Sequence, residues 1–388
     1  MSSFYRINGI GDVYIPTQFR ELVSDNTPLK LFTNDDLGQL DRIFNLLRRG
    51  SVVVLSGDWE RIAQVIEYID RKKKELIPRS TRPKGKRTVR PRRPKEQEII
   101  ALMCWADEHS NLQIHPSPNL PYLLELVGEN LGAHEKHPFL IPIDILQKIQ
   151  NALAEIYPIR ALGMELTASE NVLPPRSQET IELFQRGLQS AKIHLPPGAT
   201  VLDMGCGCGC LTLLAAQELD DKQANIYASD LLPEAVATTK LNIQHFVDSQ
   251  RQISPSIQVM PPGDLFDSVR SLQTISPAAD GEVEGVFDLI IFNAPWVVSR
   301  ARNRLEVAIH DERQKTLRRF FQEAPKYLKV QGRLLLGYAD ASGPKAITNL
   351  EGIIEDTGLT IENRFKERVA THRSKRKWQN IMVYEIVK

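Results

Sequence analysis

The chain has almost no net charge, few cysteines and few aromatics. Its 49 lysines and arginines balance 48 aspartates and glutamates, so any affinity for a polyanion must come from local patches. Four cysteines in 388 residues exclude a disulfide-built scaffold, and three of them, Cys206, Cys208 and Cys210, lie too close together to pair conventionally. No apolar run reaches the length of a membrane span, so no membrane partner is expected. The opening "MSSFYRINGIGDVYIP" holds no apolar leader core, and the expectation is a reduced, cytoplasmic setting. Hydrophobic residues make up 42% and charged residues 25%, ordinary for a globular chain long enough for two domains.

The pattern changes near residue 159. Residues 1–158 read as a helix-rich N-terminal domain with a possible role in substrate recognition. "DDLGQLDRIFNLLRRG", "WERIAQVIEYIDRKKKELI", "EQEIIALMCWADEH" and "IDILQKIQNALAEI" are read as helices, and "SVVVLSGD" as a short buried strand. Residues 71–95 carry thirteen lysines and arginines against one glutamate, with four prolines that discourage regular structure. This run is either a solvated loop or a tether to RNA or a ribosome-like surface, where clustered cations gain affinity by counterion release.

Residues 159–388 alternate strand and helix, which argues a doubly wound α/β sheet. "ATVLDMG", "ANIYASD", "SIQVM", "FDLIIFN" and "GRLLLGYAD" read as strands separated by helices, with residues 268–285 as a loop insertion. "TIENRFKERVA" and "WQNIMVYEIVK" read as a closing antiparallel hairpin.

The stretch "DMGCGCGC", residues 203–210, allows a thiol–metal cluster, a redox site or a glycine loop. Zinc sites commonly space their cysteines C-x₂-C or wider, and no second Cys or His pair follows at a suitable distance, so no metal is assigned. A redox C-x-x-C is missing. The glycines read better: Asp203, Gly205, Gly207 and Gly209 form D-x-G-x-G-x-G between a strand and a helix, where a ligand approaches the backbone at a helix N-terminus. Asp230 falls 21 residues past Gly209, Asp264 another 34 on, and Asn293 a further 29. One strand–helix–strand unit takes about 30 residues. These polar residues therefore fall at the carboxyl ends of successive strands, the ligand edge of an open parallel sheet. Each acid alone is equally compatible with a helix cap.

"VLDMGCGCGCLTLLAA", "ASDLLPEAVATTKLN", "GDLFD" and "FDLIIFNAPWV" together resemble successive motifs of class I S-adenosylmethionine-dependent methyltransferases, over roughly residues 160–388. The resemblance implies a seven-stranded Rossmann-like sheet with S-adenosyl-L-methionine as cofactor. It implies that Gly205, Gly207 and Gly209 bed the methionine part and that Asp203 lies near its ammonium. Asp230, with Leu231 beside it, would take the ribose hydroxyls, and Asp264 and Leu265 would contact adenine. "NAPW" resembles the N-P-P-[YFW] signature of amino methyltransferases, so Asn293, Ala294, Pro295 and Trp296 are the catalytic candidates; the first proline is alanine here. "ENVLPPRSQETIELF" resembles a stretch of HemK/PrmC-type glutamine N5-methyltransferases, with one extra residue between Pro-Arg and Thr. The methyltransferase small domain group to which these belong also includes rRNA guanine N2-methyltransferases.

An amide or aromatic amine has a delocalised lone pair. Two acceptors, the Asn293 side-chain oxygen and the Ala294 carbonyl, would hold its N–H bonds and favour a pyramidal nitrogen. Trp296 either offers a flat apolar face to the substrate or packs in the core. Arg300, Arg302 and Arg304, and the basic hairpin "FKERVATHRSKRKWQN", either meet an anionic substrate or are solvated. The expected function is N-methylation of a protein glutamine or an RNA guanine, with a protein or RNA partner, ribosome-associated in one reading. A small-molecule methyltransferase and a non-catalytic cofactor-binding scaffold remain as alternatives, and the oligomeric state is left open.

Overall fold

A computed structural model of the chain describes residues 4–23, 27–76, 102–129, 137–249, 254–272, 285–370 and 377–388. The chain divides into two compact units, Met1–Ile149 and Gln150–Lys388.

The first unit combines helices with a sheet. Its strands are β1 (Phe4–Ile7), β2 (Gly11–Tyr14), β3 (Leu29–Phe32), β4 (Val52–Leu55), the two-residue β5 (Gly57–Asp58), β6 (Leu102–Ala106), the two-residue β7 (Ile114–His115) and β8 (Phe139–Pro142). Six of them form one mixed sheet in the order β1-β2-β8-β6-β4-β3. Helices α1 (Leu40–Arg48), α2 (Trp59–Leu76), the single turn α3 (Leu123–Leu126) and α4 (Ile143–Ala154) accompany it, α4 running past the boundary. Helices α1, α2 and α4 fall where the sequence reads helix; the mixed sheet they accompany is what that reading misses. The decisive segment is "LMCWA", read as helix and found as β6, parallel to β4 and antiparallel to β8. β6 is buried on both faces, so its sequence is a continuous apolar run, and periodicity cannot tell that from a buried helix. Cys104 is buried in β6, and burial pushes its thiol up to about 12. In the basic run 71–95, Arg71 to Leu76 continue α2; the rest lies outside the described residues, as do 273–284 of the expected insertion.

The second unit opens with a hairpin that the sequence pattern does not announce, β9 (Ile156–Ile159) against β10 (Met164–Thr167). There follow α5 (Gln178–Lys192), β11 (Thr200–Met204), α6 (Cys210–Glu218), β12 (Asn225–Ser229), α7 (Pro233–Asp248), β13 (Ser256–Val259), β14 (Phe287–Asn293), α8 (Arg304–Val307), α9 (Lys315–Tyr327), β15 (Leu328–Ala339), α10 (Pro344–Glu355), β16 (Thr360–Ala370) and β17 (Trp378–Val387). The last seven strands form one sheet, β13-β12-β11-β14-β15-β17-β16. β11 to β15 are parallel, and β17 inserts antiparallel between β15 and β16.

Chain order reverses between β11 and β14, and ligands bind outside the carboxyl ends of strands at such a switch point. Each face of the sheet carries its own core. One gathers Phe184 and Leu188 of α5 and Leu213 and Leu214 of α6. The other gathers Phe320 and Phe321 of α9 and Leu350 and Ile354 of α10. Ser177 caps α5 by accepting the Thr180 N–H at 3.2 Å. Gly187 lets α5 close on the sheet, since a Cβ there would lie 3.1 Å from Leu335. Among the described residues no helix is long and apolar enough to cross a membrane.

Candidate active site

A cavity of about 390 Å³ opens at the switch point. The loop after β11 forms its floor, with Gly205, Cys206, Gly207, Cys208 and Cys210. The three glycines have different tasks. Gly205 and Gly207 line the cavity with φ of 67° and 56°, a region that L side chains enter at a cost. A Cβ on Gly207 would meet nothing within 4 Å, so that backbone is open to a ligand. Gly209, at φ 79°, is not among the lining residues; a Cβ there would sit 3.0 Å from Thr239 of α7. It closes the loop against a helix.

Side chains of α7 lash this loop down. Thr239 donates to the Gly207 carbonyl at 3.0 Å, and Asn242 donates to the Cys208 carbonyl at 2.8 Å. Asn242 also holds Thr167 of β10 through both its amide atoms, at 3.1 and 2.8 Å. Both residues lie mid-helix within the stretch "ASDLLPEAVATTKLN", where only Asp230 and Leu231 carry a sequence-level expectation.

Asp230 lines the cavity at the end of β12. Its carboxylate accepts from the Gly207 N–H at 3.0 Å and from the Leu232 N–H at 2.9 Å, which fixes it beside the glycine loop; burial nevertheless pushes its pKa up. Leu231 also lines the cavity and is about half exposed. Asp203 lies behind the loop, outside the lining. It is 1% exposed, accepts the Thr212 hydroxyl at 2.5 Å through Oδ2, and has no hydrogen-bond partner at Oδ1. Burial raises its pKa from 3.8 to about 7. Asp264 and Leu265 both line the cavity. The Asp264 carboxylate pairs with Arg319 of α9 at 2.8 Å, and Leu265 takes a φ of 51°.

The facing wall follows β14. Asn293, Pro295 and Trp296 line the cavity; Ala294 does not, being fully buried with its N–H donated to the Gly337 carbonyl at 3.2 Å. Trp296 is partly buried and packs against both cores, so it belongs to core and cavity at once. Its carbonyl accepts from Ser342 Oγ at 3.2 Å, and Ser342 in turn accepts from the Val298 N–H at 2.8 Å. Residues 171–177 add the third side, the "NVLPPRS" stretch.

Arg319 and His310 are ionisable cavity residues that carry no sequence signal. His310 Nδ1 contacts Ser299 Oγ at 3.2 Å and the Arg300 carbonyl at 3.4 Å, and Glu306 Oε2 lies 3.7 Å away. Arg304, read as one of three equivalent arginines, is instead structural. It pairs at 2.8 Å with Glu234, a carboxylate 1% exposed, to which Asn171 also donates at 3.5 Å. Arg300 and Arg302 are exposed.

The cysteines are spacers. Cys206, Cys208 and Cys210 are free and buried, and burial drives all three thiols up, Cys208 to about 12. Among the described residues no group of three or more His, Cys, Asp or Glu is arranged to hold a metal.

The donor set suits a nucleoside. A bare backbone at Gly207 and a carboxylate at Asp230 both line the cavity and answer to a ligand with a diol, while the Asp203 carboxylate stays buried behind the loop.

A family model described as BMT5-like, rRNA (uridine-N3-)-methyltransferase, matches residues 214–372, which hold Asp230, Asp264 and Asn293–Trp296 but not the glycine loop. No curated protein matches the sequence. Among solved structures, a precorrin-6y C5,15-methyltransferase of Geobacter metallireducens aligns at 14% identity, covering 57% of this chain and 95% of its own, with TM-score 0.35. Trm5b of Pyrococcus abyssi aligns at 16% identity over 60% of this chain and 55% of its own, TM-score 0.38. TYW2 of M. jannaschii, in complex with AdoMet, aligns at 15% over 60% and 85%, TM-score 0.36. The family match covers β12 to β16 and the facing wall of the cavity, and the chain is an S-adenosylmethionine-dependent methyltransferase.

Proposed function

We propose that the chain methylates a ring nitrogen of an RNA base, N3 of uridine in ribosomal RNA. The observation that carries this reading is the cavity in which Gly205, Gly207 and Asp230 face Asn293, Pro295, Trp296 and His310, with Asp230 and the whole facing wall inside the span of the rRNA methyltransferase match. On this reading Gly205 and Gly207 bed the methionine part of the cofactor, Asp203 compensates its ammonium through the loop, and Asp230 takes the ribose hydroxyls. Leu231 and Leu265 flank the adenine. The bound cofactor supplies an electrophilic methyl group; everything else is positioning by this chain.

Uridine changes the task assigned to the Asn293 loop. A glutamine amide or a guanine N2 has two N–H bonds to hold, whereas uridine N3 has one, flanked by carbonyl oxygens. The Asn293 carboxamide N–H can donate to a carbonyl oxygen beside N3, where charge gathers as the N3 proton leaves, and this keeps the N3–H itself free for a base. The buried Ala294 carbonyl is then not required. The N3 proton must also leave. In the tautomer in which His310 Nδ1–H donates to the Arg300 carbonyl, Nε2 keeps a free lone pair, and His310 is the acceptor for that proton. Trp296 offers its ring to the pyrimidine plane. The first unit and the basic run 71–95 serve substrate capture, the run by counterion release.

The test is incubation with labelled cofactor and separated rRNA, protein and metabolite fractions, followed by nucleoside analysis. Label in 3-methyluridine is expected, and it should vanish with H310A at neutral pH. Label in protein or in a small metabolite would overturn the RNA reading, and no label at all would leave only a binding scaffold.

A further inference from the structure

We propose that Trp378, braced by Arg368, is a stacking platform for a nucleobase of single-stranded RNA flanking the methylated residue. The inference rests on the RNA reading above but concerns a surface outside the cavity.

Trp378 is 50% exposed, among the most exposed of the large apolar side chains in the described residues. One exposed aromatic is unremarkable by itself. Its setting is not. Trp378 opens β17, and Ala370, its partner, closes β16. The register ties this end of the hairpin to the ligand edge of the sheet. Asn293 pairs with Gly337, Gly337 with Val383, and Ala339 with Ile381. Trp378 therefore overhangs the carboxyl end of β15 by three residues, roughly 10 Å. Counting five residues along β17 and two strand spacings across, it stands roughly 20 Å from Asn293, within reach of one single strand that also enters the cavity.

The indole is also held. The Arg368 guanidinium lies over its ring at 5.2 Å, while half the side chain stays open to solvent. Two residues on, Asn380 donates to Asp340 from its backbone at 2.9 Å and its side chain at 2.7 Å. Asp340 begins the turn that ends at Ser342, and Ser342 bonds both Trp296 and Val298 of the acceptor loop. The platform and the cavity wall are thus joined by short, direct hydrogen bonds. Exposed Lys366, Arg368 and Lys377 lie on the hairpin, and exposed Arg300 and Arg302 follow the acceptor loop. An aromatic face between cations at the edge of an active site is the arrangement that binds single-stranded nucleic acid, because every base has a π-face and every linkage a phosphate.

The experiment is fluorescence anisotropy of a 5′-fluorescein single-stranded uridine 12-mer with the full chain and its W378A, W378L and W378F variants. Loss of one base–aromatic stack should weaken binding about tenfold in W378A. W378L, which keeps apolar bulk without the aromatic face, should lose as much, and W378F should keep most of the affinity. The salt dependence should not change, since no phosphate contact is removed. Unchanged cofactor affinity by calorimetry shows that the variants are folded. Equal binding by wild type, W378A and W378L overturns the platform, as it would if the indole served a protein contact. If the wild type methylates RNA but the variants bind alike, the platform alone falls. If the wild type neither binds nor methylates RNA, both readings fall.

Discussion

On the floor of the cavity, Gly205, Gly207 and Asp230 are held by backbone bonds between neighbouring loops and by Thr239 and Asn242 of α7. On the facing wall, Ala294 next to Asn293 is held by Gly337 and Trp296 by Ser342, both from further along the chain, and His310 is held by Ser299. The floor is local and repeats the geometry of one strand–turn–helix unit. The wall is assembled from segments that meet only after the sheet has formed. A local site tolerates little change in backbone but keeps its shape when a distant residue is altered; an assembled site behaves the opposite way.

The largest effect that separates the two should come from Asn293. Asn293→Ala is expected to lower turnover about 10²- to 10³-fold, the scale of removing one preorganised transition-state hydrogen-bonding group, while cofactor affinity stays within about twofold of wild type. Asp230→Ala is expected to do the reverse to binding, weakening the cofactor about 100-fold as two charge-assisted hydrogen bonds are lost. Calorimetry and single-turnover rates on both variants test this. If Asn293→Ala weakened cofactor binding as much as Asp230→Ala, the division into floor and wall would be wrong.

Gly337→Ala probes the assembled wall from a residue outside the cavity lining. A Cβ at 337 would lie 2.6 Å from the Phe184 ring and 2.7 Å from Asn293 Oδ1. Both contacts are below 3.0 Å, so the buried Phe184 ring and the Asn293 carboxamide must both shift, and some stability is lost along with the position of Asn293. A displacement of about 1 Å can cost about 100-fold in rate, so turnover is expected to fall about 10- to 100-fold with cofactor affinity unchanged. A variant with wild-type turnover would show that Asn293 is not positioned from β15.

This contrast also explains how much of the site is legible in the sequence. The floor is legible because βα units have nearly constant length, so spacing alone puts Asp203, Asp230, Asp264 and Asn293 in register. Its finer division is not: Gly209 packs on α7 and Asp203 sits behind the loop, and spacing cannot tell a lining glycine from a packed one. The wall is legible only at Asn293, Pro295 and Trp296, where "NAPW" is contiguous. His310 and Arg319 arrive from the segment after α8 and from α9, with no motif around them. Arg304 is indistinguishable in sequence from Arg300 and Arg302; what sets it apart is its buried partner Glu234, 70 residues away on α7. In the first unit, β6 reads as helix because a strand buried on both faces has no period-2 signal.

The smallest expected effect sharpens the floor itself. Asp203 is buried, and that burial raises its pKa from 3.8 to about 7. A group whose native pKa is raised binds more protons folded than unfolded between those values. Its contribution to stability is therefore fully present below about pH 4 and is lost as pH rises through about 7. Asp203→Asn removes the titration, so the denaturant midpoint should vary less between pH 4 and 7 than in wild type. A cationic ligand placed near this carboxylate favours its ionised form. Cofactor binding near pH 6.5 should then release a fraction of a proton, seen as a dependence of binding enthalpy on the buffer's ionisation enthalpy. That dependence should disappear in Asp203→Asn. If it persists, the proton comes from elsewhere, and Asp203 does not sense the ligand through the loop.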